Sequence, residues 1–165
     1  MFIEQGIKPE NKFWKYILGF LLFMIAYTIG QVPFTLAVLY KSTSMGKGIP
    51  TDPSELMNVL DSNLKLFLLL LTFVAAFIGI YIAVRYINQQ KFIEIVTARK
   101  KVDWNRVFFS FSLWAVFTIV SIAIMYYTSP QDFVVNFNLV PFLGLAVIAI
   151  LLIPIQTSTE EFVFR

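Results

Sequence analysis

The side chains with the most chemistry in them lie in one ten-residue stretch, Gln-Thr-Ser-Thr-Glu-Glu-Phe-Val-Phe-Arg, from Gln156 to Arg165. It ends an uncharged run that extends from Phe133 to Thr159. On a helix, Glu161 and Arg165 stand four positions apart and share a face, with the acid on the favoured N-terminal side. Glu160 turns about 100° from Glu161, toward the stripe of Gln156, Thr157 and Phe164. One acid can thereby be held by the arginine, and the other stays free for chemistry. Carboxylates at membrane depth are costly and by default mark a function. The plainer alternative is a charged span end that only marks the water boundary. Two features weigh against it: Phe162, Val163 and Phe164 are too apolar for a freely solvated turn, and the polar run 156–159 leads straight into the acids.

Four uncharged runs must position these residues. The first extends from Tyr16 to Tyr40, 25 residues, which at ~1.5 Å per residue exceeds the ~30 Å hydrocarbon layer. The runs predict transmembrane helices over 14–40, 65–87, 106–128 and 139–165, an all-α, polytopic membrane helix bundle. Gly30 and Pro33 allow a kink in the first span, and Pro154 predicts a bend just before Gln156. Ala75, Ala76 and Gly79 give the second span a small-residue face suited to close helix contact, or equally to lipid. Between spans, 41–50 reads as irregular. Asp52-Pro53-Ser54-Glu55 reads as a helix start, followed by a connector with Leu56, Val59 and Leu60 on one face. Phe92, Ile95 and Val96 suggest an interfacial helix. Asp103 is placed to cap the third span, and 133–138 hints at a short extended segment.

Composition restricts the function classes. The sequence has 165 residues, 58% hydrophobic and 14% charged, with a mean hydropathy of +0.76, which is membrane-protein composition. There is no cysteine and no histidine, so the usual zinc ligand sets cannot be assembled from these residues, nor a disulfide framework. The net charge of +3 does not point to nucleic acid, because the cations flank spans, where they set orientation. Lysine and arginine number three before the first span, three in the first loop, six in the second and none in the third. The positive-inside rule then puts both termini and the second loop in the cytoplasm. The fourth span delivers the Glu-Glu motif to that same side.

Glu160-Glu161-x-x-x-Arg165, preceded by Pro154-Ile155-Gln156-Thr157, resembles the first signature motif of the CPBP intramembrane proteases. That family includes type II CAAX prenyl endopeptidases and bacterial bacteriocin-processing or self-immunity proteins. The resemblance implies an integral protein of a bacterial plasma membrane that hydrolyses peptide bonds of membrane-associated substrates, a peptide or a prenylated protein. It implies Glu160 as the water-activating base, with Glu161 and Arg165 in support. Zinc is a cofactor that the resemblance admits for a full-length member; a metal-free glutamate mechanism is the other choice. The family's later motifs supply histidines, and none occurs here, so 1–165 reads as a single membrane domain, the N-terminal half of a CPBP-type core. By itself it is expected to be inactive. A non-catalytic membrane protein for bacteriocin self-immunity or partner binding is the alternative; a transporter subunit ranks below both.

Overall fold

The computed structural model describes residues 12–46, 48, 52–96, 102–134 and 136–164. Its helices are α1 (Phe13–Ser44), α2 (Pro53–Asn58), α3 (Ser62–Ile82), α4 (Phe92–Val96), α5 (Trp104–Thr128) and α6 (Leu139–Phe164). A π-helical turn, Ala83–Ile87, prolongs α3, and a 3-10 turn, Pro130–Asp132, follows α5. Among the described residues there is no strand. Phe133–Asn138, expected as a short extended segment, is irregular where it is described, with extended angles at Phe133. The protein is an all-α membrane bundle: α1, α3 with its π turn, α5 and α6 are 32, 26, 25 and 26 residues long and apolar enough to cross a bilayer.

Local chemistry sets where these helices start and stop. The first span overruns its expected end at Tyr40 and continues to Ser44. Thr43 Oγ1 donates to the Leu39 carbonyl at 2.9 Å, and Ser44 Oγ to that of Lys41 at 2.7 Å. Such back-bonding occupies the two hydroxyls within the helix, and the Met45 amide closes its last turn on the carbonyls of Lys41 and Ser42. Gly46, at φ +67°, then turns the chain out, in the left-handed conformation that glycine adopts freely. The second span starts three residues earlier than 65, because the Asp61 carboxylate accepts from the Asn63 amide as an N-cap. Asp103 does cap the third span, accepting from the Arg106 amide at 3.4 Å and pairing with Arg106 Nε at 3.2 Å.

α3 is the hub, with α1 on one side and α6 on another. α1 and α3 run antiparallel: Gly19 lies against Ala83, Gly79 against Ala26 and Phe23, and Gly30 against Thr72 and Ala75. A Cβ on Gly30 would fall 2.8 Å from that of Ala75, and one on Gly79 would fall 2.7 Å from that of Ala26. The small-residue face of α3 therefore meets protein, and the two backbones approach closely, as small residues permit. Gly30, expected as a kink site, is a contact site. The buried Thr72 hydroxyl donates to its carbonyl at 3.1 Å. At the other end of this pair, Val38, Leu60 and Leu68 form a buried cluster flanked by Phe34, Ala37, Leu56 and Val59. α2 and the residues after it to Leu60 thus pack as a connector onto the bundle.

α3 and α6 run parallel. Asn63 Nδ2 donates to the Pro141 carbonyl at 2.7 Å near their starts, and Phe77 meets Phe162 near their ends. One end of the bundle therefore gathers the N-terminal part of α1, the C-terminal part of α3, α4 and the last turns of α6. α4, which lies in the second loop, and the motif are thus at the same end of the bundle.

Candidate functional site at the end of α6

The last two turns of α6 are built around Thr159, 1% exposed, the most deeply buried residue of that helix. Its hydroxyl donates to the carbonyl of Ile155 at 2.7 Å and lies 3.4 Å from that of Phe73 on α3. This contact, with Phe162 on its flank, fixes the rotational phase of the helix. With Thr159 facing α3, Glu160 stands about 100° round the axis and Glu161 about 160° from it on the other side. Both carboxylates are exposed, while Ile155, Gln156, Phe162 and Val163 are half-buried. The adjacent acids thus leave the bundle in different directions, as the motif spacing predicts.

Glu160 has a defined partner. Gln156 Nε2 donates to Glu160 Oε1 at 3.1 Å, one helical turn apart, so that one carboxylate oxygen is held and the other remains open. Pro154 sits inside α6, where it removes the amide that the Ile150 carbonyl would otherwise receive. Polar side chains bond the helix just beyond it: Thr157 Oγ1 donates to the carbonyl of Ile153 at 3.1 Å, and Ser158 Oγ to that of Pro154 at 2.6 Å. The helix runs on through Phe164, as pairing of Glu161 with residue 165 requires. Arg165 itself lies outside the described residues, and Glu161 is not without a partner.

An aromatic cluster borders the acids. Phe92 of α4 packs at 5.2 Å from Phe162, 5.6 Å from Phe77 and 5.6 Å from Tyr81. Expected as an interfacial helix, α4 is seated on the ends of α3 and α6 through this ring. The helical spacing of Phe77 and Tyr81 marks a shared face, but nothing local ties that face to position 92 or 162. The Gln156 bond was foreshadowed by the four-residue spacing, whereas the Thr159 contact with Phe73 had no signal.

Two carboxylates do not by themselves make a zinc site. Glu160 and Glu161 diverge, Gln156 holds one oxygen of Glu160, and zinc takes three or more protein ligands. Among the described residues no other acid joins them as a cluster of metal-ligating type. What the arrangement offers is proton transfer: an exposed carboxylate with one fixed and one open oxygen, at the end of a helix held in phase by α3.

No family model matches this chain, and no solved structure matches it. Over 162 residues, 98% of its length, the chain is 29% identical to the uncharacterized protein YyaK of Bacillus subtilis (strain 168). The matched region is 54% of YyaK, so the chain spans about half the length of the curated relative to which it is similar.

Proposed function

We propose that the chain forms the N-terminal part of an intramembrane endopeptidase of the CPBP type, with Glu160 as the base that activates water. The observation that carries this reading is the Gln156–Glu160 hydrogen bond of 3.1 Å. It orients a carboxylate at the end of a membrane-crossing helix and leaves Oε2 to accept a proton. In the proposed reaction a water gives that proton to Glu160 as its oxygen attacks the scissile carbonyl. The protonated acid then returns the proton to the departing amine. Glu161 and Arg165 hold the helix end. The substrate class is a membrane-associated peptide or prenylated protein, whose lipid stays in the bilayer while its peptide meets the end of α6. A bacterial plasma membrane with both termini cytoplasmic is part of the proposal, supported by the six cations of the second loop. No step is assigned to a metal.

The test uses membranes holding the full-length protein that the resemblance implies, and a prenylated or membrane-tethered peptide. Glu160→Gln is expected to abolish cleavage with the folded yield unchanged. Glu161→Gln is expected to be intermediate. Arg165→Ala is expected to lower the folded yield only modestly, because the Glu161 carboxylate is exposed and an exposed acid that loses a cation costs about 0.2–1 kcal/mol. Retained cleavage in Glu160→Gln with loss in Glu161→Gln would show that the base is the other acid. Binding of the peptide with no cleavage by the unmutated protein would leave the non-catalytic immunity reading in its place. Orientation is read separately, by maleimide labelling of Lys100→Cys and Ser129→Cys: labelling of the former from outside the cell reverses it.

A further inference from the structure

The joint between α3 and α4 departs from ordinary helix geometry in several ways within a few residues. α3 does not stop at a cap; it widens into the π-helical turn Ala83–Ile87. Such turns are rare and gather at functional positions. Gln89 then has a φ of 54°, the left-handed region that a residue bearing a Cβ enters at a cost. Gln90 is 7% exposed. Its Nε2 and the Oδ1 of Asn88 are both buried with no hydrogen-bond partner, which penalises the conformation that buries them.

The ring contacts of Phe92, two residues further on, act in the opposite direction. They hold α4 against Phe77, Tyr81 and Phe162. A seat stabilised by aromatic packing is thus attached through a joint that is strained while the seat is occupied. Strain of this kind persists only where surrounding contacts impose it.

We infer that Ala83–Gln90 is a hinge that seats and unseats α4 at the end of the motif helix. In the seated state, Phe92 covers Phe162, the residue that follows Glu161. In the unseated state the π turn rewinds as α-helix, Gln89 leaves the left-handed region, and the amides of Asn88 and Gln90 reach water. Phe92 then withdraws, and the carboxylates of α6 lose their aromatic border. The inference goes beyond the protease reading and stands without it, since it concerns the position of α4 and not cleavage.

The chain has no native cysteine, so paired spin labels report this position directly. One pair, Ile93→Cys with Phe164→Cys, joins α4 to the end of α6 at two exposed positions. A control pair, Tyr40→Cys with Leu64→Cys, spans α1 and α3 at exposed positions. Distance distributions are measured in lipid nanodiscs, with Phe92→Ala defining the unseated one. Gln89→Gly, which removes the cost of positive φ, is expected to reduce the unseated population about fivefold or more. Gln89→Val, which a β-branched side chain makes worse, is expected to raise it by a similar factor. The control pair should not change. A change there in Gln89→Val means lost fold, and Gln89→Gly then decides. If the parent shows no unseated population, Gln89→Val must create one. Distributions that ignore both substitutions at Gln89 overturn the hinge.

Discussion

α3 and α5 are near twins in sequence terms and opposites in the structure. Both are apolar and long enough to cross a bilayer, at 26 residues with the π turn and 25. Yet 39% of the apolar stretch of α3 is buried, and none of that of α5. The difference lies in side-chain size. α3 and its π turn present Thr72, Ala75, Gly79 and Ala83, and these meet Gly19, Ala26 and Gly30 of α1. α5 has no glycine, and its small residues are interleaved with Phe108, Phe109, Phe111, Trp114 and Phe117. In lipid, apolarity gives a helix no reason to prefer protein over acyl chains, whereas close backbone approach does. Hydropathy therefore identifies the spans, and small residues choose their neighbours.

The largest expected effect strikes that contrast at its centre. Gly79→Leu pushes a branched side chain into the space held by Ala26, so overpacking should cost about 1–3 kcal/mol or more. It is measured as unfolding free energy in detergent micelles. Phe92→Ala removes three ring contacts of about 0.5–1.5 kcal/mol each, which share one ring and so do not simply add, and should lower stability by an amount comparable to Gly79→Leu. It tests whether α4 belongs to the protein core or to the interface. Thr72→Val deletes the buried bond to Gly30 while keeping the shape, and bonds of this type within membranes average about 0.6 kcal/mol and reach about 1.7. At the bottom of the scale is Val116→Leu on the exposed surface of α5, which should stay within about 0.5 kcal/mol. If Val116→Leu costs as much as Gly79→Leu, α5 has a packed neighbour and the contrast fails.

The spans were legible because each depends on residues adjacent in sequence, and their boundaries fell within a few positions. Where they slipped, hydrogen bonding was the reason. Backbone bonds from Met45 to Lys41 and Ser42 close α1 beyond Tyr40, and Asp61 started α3 early. The split between Glu160 and Glu161 was legible too, since it follows from helical spacing. The seat of Phe92 on Phe162 was not, because it depends on two residues 70 positions apart that only the parallel pairing of α3 with α6 brings together. The left-handed Gln89 was equally silent, being a cost imposed by packing on a residue whose type does not ask for it.

The parallel pairing of α3 and α6 also sets a clock on synthesis. The Thr159 hydroxyl that faces the Phe73 carbonyl belongs to a residue made 86 positions later. At about 5–20 residues per second, roughly 4–17 s pass between the two. α1 is already in place when α3 leaves the ribosome, so their small-residue seam can close at once. The flank of α3 that α6 covers must wait in lipid through the entire making of α5. A ribosomal pause inserted between codons 128 and 139 would lengthen that wait without altering a single side chain.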